Sequence, residues 1–404
     1  VDKNDNDLDA QFYLGWTYTL RAFIIYMIDK NVLRAASDIK DGYKSLSFVV
    51  EKNSTYYDAY LGLGVYNYIV TFIPKKLQWI TSILGYSGDR EEGKRQLAIA
   101  SDKGTYTNTE AMVYLTLLAW REENFTLAED YARKLTAKYS ESPGTWMLWG
   151  LLLSQQDKMK DAVEAYEKAL KYNSGKESDI VYKTCYGSLG NANFRMNNFE
   201  KAVESLKKYM SYVTKDDRYN NRLYSIGVSL ELLGRRNEAI DYYKQARTDF
   251  TEDNEWEKFW FRRLNYRVNN TVTIIDSLLI AADNNRAVGK LQEALNDYMR
   301  LNSGFDQVFS DDITVQINHG LGQVYFKQKD YNRAIEQFNL NLNLKPNEEK
   351  WLVPEAYFQI GRCLLRLGKN SEAREYFDRA EDIDYDYDFK NALDIKIKNE
   401  LSKF

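Results

Sequence analysis

Trp146 to Ala169, WMLWGLLLSQQDKMKDAVEAYEKA, is the stretch whose reading decides the fold. Trp146, Trp149, Gly150 and Leu153 stand at i, i+3, i+4 and i+7, which is one face of a helix. Ala162, Tyr166 and Ala169 repeat that spacing on a second helix. The polar segment between them, QQDKMK, is short enough to force the two helices back on each other as a hairpin. Gly150 and Ala162 carry almost no side chain, so the rods can approach closely, while Trp149 and Tyr166 fill the flanks.

Outward from this hairpin the same arrangement recurs. First-helix small positions fall at Gly150, Gly190, Gly227, Ala282, Gly322 and Gly361, with Thr116 as a departure. Each is followed 12 residues later by an alanine: Ala128 after Thr116, then Ala162, Ala202, Ala239, Ala294, Ala334 and Ala373. Seven hairpins with one internal spacing are not coincidence. Aromatic, Leu-Gly, Tyr and Ala in this order resemble the tetratricopeptide repeat (TPR), which implies an all-α, right-handed superhelical solenoid of about nine helical hairpins. Successive alanines are 34, 40, 37, 55, 40 and 39 residues apart, against about 34 for the standard repeat. The 55-residue interval predicts an additional helix over 254–268 (NEWEKFWFRRLNYRV).

The first 104 residues are divergent. The spacing predicts helices over 8–28 and about 32–51, with Gly42, Leu46 and Val49 in the second-helix positions, although Gly15 and Gly42 are 27 apart. A second unit starts over 57–70 around Gly62 and Gly64, breaks at Pro74, and resumes at Gly93, Leu97 and Ala100. Asp89 with Glu92 three on reads as a capping-box start with Asp in the Ser/Thr place. The run GVYNYIVTFIPKKLQWITSILGYSGDREEG (64–93) resembles TPR proteins related to the inclusion-body clearance proteins and their bacterial relatives. At the other end, Phe389, Ala392, Leu393, Ile397 and Leu401 share a helix face and predict a C-terminal capping helix. The organisation expected is divergent repeats over 1–104 with an inserted segment at 71–88, regular repeats over 105–250, the inserted helix within 251–274, regular repeats over 275–385, and the cap over 386–404.

Composition narrows the chemistry. Among 404 residues the net charge is −4, without the dense cationic face that general nucleic-acid binding needs. Cys185 and Cys363 fall in distant repeats, which predicts free thiols. The chain starts VDKNDNDLD, which fits the mature end of an exported, periplasmic protein or a trimmed cytoplasmic one. No uninterrupted apolar run reaches the roughly 18 residues of a membrane span. Residues 69–84 (IVTFIPKKLQWITSIL) combine Trp79, two lysines and apolar side chains; closure of the N-terminal stack is the preferred reading, and a peripheral membrane contact the alternative.

The single histidine, His319, offers neither a zinc site nor a visible catalytic dyad. The carboxylates of EDIDYDYDF (381–389) fail the calcium-loop pattern, since Phe389 and Ile395 stand where glycine and glutamate are required. GYKS (42–45) and GKRQ (93–96) lack phosphate-loop spacing. No cofactor and no metal are therefore expected. An enzyme or transport component with an unrecognised acidic site is the rival of a different class.

What the TPR resemblance implies is a concave groove lined by the first helices. It places Trp120, Arg121, Asn191, Phe194, Arg195, Arg286, His319, Gln323, Phe326, Lys327, Arg362 and Arg366 on that face. Aromatic footholds beside cations suit a protein or peptide partner with acidic groups, because Arg forks carboxylates while rings bury side chains. The carboxylate clamp of chaperone-binding TPR proteins is not reproduced, since Gly187 stands where it needs Lys beside Asn191.

Overall fold

The structure, a computed structural model, describes residues 6–25, 31–71, 88–214, 217–251, 254–303 and 309–401. The inserted segment at 71–88, with Pro74 and Trp79, lies outside these residues except at its two ends. The described residues form twenty α-helices and no strand. None is long and apolar enough to cross a membrane. The chain divides into two compact units, 1–152 and 153–404.

The first unit holds α1 (Leu8–Ile24), α2 (Val32–Lys52), α3 (Ala59–Val70), α4 (Arg90–Lys103), α5 (Asn108–Arg121), α6 (Phe125–Lys138) and all but the last residues of α7 (Pro143–Gln155). Here the small residues do bring backbones together. A methyl group on Gly15 would lie 3.0 Å from the Gly42 carbonyl, and one on Gly64 would lie 2.8 Å from the Gly93 carbonyl. Leu46 and Leu97, each four residues beyond the second-helix glycine, fill the flanks and are fully buried. The Asp89 cap is half of what the spacing predicts. Its carboxylate accepts from the Glu91 and Glu92 amides, but Glu92 turns to Arg95 and Gln96, whose donors outcompete the single backbone N–H.

The second unit holds α8 (Met159–Asn173), α9 (Asp179–Arg195), α10 (Phe199–Met210), α11 (Asn220–Leu232), α12 (Arg236–Tyr243), α13 (Glu255–Asn269), α14 (Ile274–Ala287), α15 (Leu291–Ser303), α16 (Asp311–Lys327), α17 (Tyr331–Asn339), α18 (Leu352–Arg366), α19 (Asn370–Glu381) and α20 (Lys390–Leu401). In this unit the glycines make room for a ring or a leucine rather than for a backbone. A methyl on Gly322 would stand 2.5 Å from the Phe338 ring, and one on Gly361 2.6 Å from Phe377. Gly190 and Gly227 face Leu206 and Tyr243 in the same way. The large residue lies 16 positions after the glycine, and the alanine at 12 is fully buried beside it in each hairpin.

The constant spacing has a backbone cause. Seven residues after each small position a residue adopts positive φ: Glu123, Asp157, Asn197, Gly234, Gly289, Lys329 and Gly368. The next amide donates back to a carbonyl five residues earlier, as in Asn198 N to Asn193 O at 2.8 Å and Lys369 N to Leu364 O at 2.9 Å. This helix-ending motif satisfies orphan carbonyls and starts the second helix at the same point every time.

The final helix covers the last repeat through Leu393 and Ile397, buried against Ile360, Phe377 and Ala380. Ala392, expected on that face, is exposed at a cavity it lines with Phe389 and Trp256, and Phe389 at the helix entry packs on the rings of Trp256 and Phe259.

Candidate functional site

Every first helix of the second unit ends in the same left-handed turn, so its last side chains leave at a common height. Phe194 and Arg195 end α9, Arg286 lies in the last turn of α14, and Phe326 and Lys327 end α16. Three of these ends meet. Asn284 Nδ2 donates to the Phe194 carbonyl at 2.8 Å and to Asn197 Oδ1 at 2.7 Å. Lys327 Nζ donates to the Arg286 carbonyl at 3.4 Å and to Asp157 Oδ2 at 2.7 Å. Asp157 belongs to the turn before α8, 170 residues from Lys327. Within unit 153–404 these bonds draw the ends of α9, α14 and α16 and the 155–158 turn into one wall.

Electrostatically the wall is cationic. Arg286 binds Asp283 at 2.9 Å and the Tyr298 hydroxyl at 3.3 Å. Burial opposes its charge, but these partners outweigh burial and raise its pKa. Burial lowers the Arg195 pKa; Asp157 opposes that shift and Arg286 adds to it. Arg222 on α11 is likewise lowered by burial and by Arg195, and its guanidinium lies 5.8 Å from the centre of the Tyr209 ring. Neither Arg195 nor Arg222 forms a salt bridge among the described residues.

On the other side of Lys327 the wall becomes aromatic. The Arg362 guanidinium lies 4.7 Å from the Phe326 ring centre and 5.9 Å from that of Phe358, and it donates to Gln359 at 3.1 Å. Lys396 of α20 reaches the same Phe358 ring at 5.9 Å. Phe358, Gln359, Arg362, Lys396, Asn399 and Glu400 line a cavity of about 260 Å³. Lys396 also pairs with the nearly buried Glu355 at 3.8 Å, and Gln359 donates to Glu355 at 2.6 Å, so Arg362 is the cation of this ring floor that has no carboxylate partner among the described residues.

The other residues of the expected groove are spread out. Trp120 and Arg121 end α5 in the first unit, where Trp120 packs on Ala119, Ala128, Ala132 and Leu152. Asn191 and Gln323 are half-buried one turn before Arg195 and Lys327, and Arg366 is exposed one turn after Arg362. His319 is half-buried: its ring centre lies 5.6 Å from Phe338 and 6.2 Å from Trp351, and its Nδ1 is buried without a hydrogen-bond partner among the described residues. Burial, with Arg286 adding to it, lowers its pKa to about 3. Glu231, also a first-helix end, is closed off. Its oxygens accept from Arg236 at 2.6 Å, Tyr243 at 2.8 Å, Thr271 at 2.7 Å and the Val272 amide at 2.8 Å.

Helix α13, the additional helix expected over 254–268, packs on two places at once. Trp260 meets Tyr224 at 5.0 Å, while Phe259 meets Phe389 at 4.9 Å and Trp351 at 6.4 Å. Arg262 binds Glu348 and, at 2.6 Å, Asp388; Arg263 binds Glu349. Glu255 accepts the Asn391 amide at 3.0 Å, which ties α13 to the first turn of α20. The acidic run 381–389 therefore supplies an arginine partner, and among the described residues no cluster of ligands suits a metal ion.

Comparison with known proteins bears on the same region. Residues 58–217 match the family described as Iml2/Tetratricopeptide repeat protein 39, and residues 221–246 and 314–386 match tetratricopeptide-repeat families. Tetratricopeptide repeat protein ttc-39B of Caenorhabditis elegans is 23% identical over 272 residues, which cover 59% of this chain and 46% of that protein. The match spans less than half the length of this relative. Among solved structures, the type IV pilus biogenesis factor PilW is 16% identical, covering 62% of this chain and 98% of that one with a TM-score of 0.41. NprR in complex with its peptide NprX is also 16% identical, covering 74% and 85% with a TM-score of 0.31.

Proposed function

We infer, from the premise that this chain is a tetratricopeptide-repeat protein resembling the Iml2/Tetratricopeptide repeat protein 39 family, that it is a non-catalytic scaffold which holds a partner protein on the inner wall of residues 153–404. The occupant is an extended segment that carries acidic side chains and at least one large apolar residue. One observation carries this reading: Arg362 lies over two rings at the edge of a cavity, with a neutral amide, Gln359, as its polar partner. A guanidinium so placed has donors to spare for a carboxylate, and the rings exclude the water that would screen it. Preorganisation supplies the mechanism, because the wall is rigid before the segment arrives and mainly the segment loses freedom.

The test is fluorescence anisotropy with labelled acidic–aromatic peptides. Charge reversal at Arg362 and Arg366 should weaken binding at least tenfold, on the scale of about 1.5–3 kcal/mol for a charge-assisted hydrogen bond, with helicity by circular dichroism unchanged. Equal binding by wild type and variant would reject this wall as the partner site.

A further inference from the structure

The turn before α8 spends a side chain where a glycine would be easier. Asp157 adopts φ +58°, the position that Gly234, Gly289 and Gly368 occupy in other hairpins. A left-handed conformation costs a non-glycine residue about 1 kcal/mol, less for Asp and Asn than for others. Asp157 uses its carboxylate on Lys327, two-fifths exposed itself and facing a lysine one-third exposed. The neighbouring left-handed residue, Asn197, accepts from Asn284 in the same row. So two turns are pinned to helices that lie several repeats further along the chain.

Charge at this point does not balance. Arg195, Arg286 and Lys327 meet Asp157 and Asp283, with Arg222 adding a further cation beside Arg195, and Asp283 is already engaged by Arg286 and by the Tyr298 hydroxyl at 2.6 Å. Among the described residues Asp157 is the carboxylate left for Arg195 and Lys327 together, and it bonds directly to Lys327 and not to Arg195.

We propose that Asp157 is a built-in competitor: its carboxylate holds on Lys327 the place that an acidic side chain of the partner takes, and the partner enters by exchanging one ion pair for another. The inference rests on the inner-wall reading and names both its anchor point and its regulation. The exchange is easy because the internal pair is partly exposed, and such pairs contribute only about 0.2–1 kcal/mol. The incoming carboxylate gains Arg195 as well, which the short Asp157 side chain does not reach within salt-bridge distance. Binding also frees the 155–158 turn from α16.

A fluorescein-labelled hexaglutamate peptide at low ionic strength is the probe, read by anisotropy and by amide hydrogen exchange in the 155–158 turn. Asp157→Asn should tighten binding about two- to fivefold, the affinity equivalent of the internal pair. Arg195→Gln should loosen it at least tenfold, while Arg195→Lys retains most of it. Exchange at 155–158 should quicken when the peptide is added to wild type. Unchanged or weaker binding by Asp157→Asn overturns the competitor, and so does failure of both wild type and Asp157→Asn to bind the peptide. If Asp157→Asn has no effect while Arg362→Glu still abolishes binding, the inner wall stands and only this inference falls. If neither changes binding, both fall.

Discussion

His319 shows how far a single residue can be displaced in role by its surroundings. Its position on α16 reads as groove-facing and polar, yet Phe338 and Trp351 flank its half-buried ring and its Nδ1 meets no donor or acceptor among the described residues. Burial holds its pKa down at about 3, against an ordinary value of 6.5. The folded state therefore resists a proton that the unfolded chain accepts below pH 6.5. Stability should be insensitive to this group above pH 6.5 and should decline progressively as pH falls from there toward 3. Urea titrations at pH 7 and pH 5 should show a smaller difference for His319→Gln than for wild type. An identical difference would mean that burial does not suppress protonation of the imidazole. Left-handed turn residues are most legible at this scale where they are glycine: Gly234, Gly289 and Gly368 mark the hairpin turn, Asp157 and Asn197 signal it only weakly, and Glu123 and Lys329 do the same without any propensity to announce it.

Between two helices, volume is shared rather than assigned. Thr116 breaks the glycine-or-alanine rule of the first-helix position, and the hairpin absorbs it 16 residues later. Where the other hairpins carry Tyr166, Leu206, Tyr243, Tyr298, Phe338 and Phe377, this one carries Ala132, fully enclosed with Ala128 and Leu152. Thr116 meanwhile donates its hydroxyl to the Met112 carbonyl at 2.8 Å, so its polar atom is satisfied within its own helix. Ala132→Leu alone should cost about 1–3 kcal/mol by overpacking. Combined with Thr116→Gly, most of that loss should return, measured as a coupling in a double-mutant cycle by urea denaturation. Additive losses would show that the two sites do not share a slot. The compensation was open to sequence reasoning, since both positions are fixed by the repeat, but it requires comparing volumes at i and i+16 rather than small residues at i and i+12.

Across residues 153–404, helix α13 acts as a strut between the 220–243 hairpin and the 348–391 segment. Arg262 and Arg263 differ in the burial of their partners. Glu349, bound by Arg263, is 6% exposed and also accepts from the Trp351 indole at 2.9 Å, whereas Glu348 and Asp388, bound by Arg262, are 54% and 21% exposed. Removing a partner from an enclosed pair leaves a charge without compensation, which costs about 3–5 kcal/mol, and from an exposed one about 1 kcal/mol or less. Arg263→Ala should therefore lower stability several times more than Arg262→Ala by chemical denaturation, and equal losses would mean that α13 is not seated. The sequence by itself determined the all-α repeat, the hairpin spacing and the presence of an extra helix near 260, because these follow from the periodicity of small and large side chains along adjacent turns. Which cations of the inner wall are engaged, and by which carboxylates, was decided only in three dimensions. Asp157 and Lys327 are 170 residues apart, and Arg262 and Asp388 are 126. Local spacing sets how neighbouring helices nest, whereas the accumulated turn of several repeats sets which distant side chains meet, and no local pattern encodes that sum.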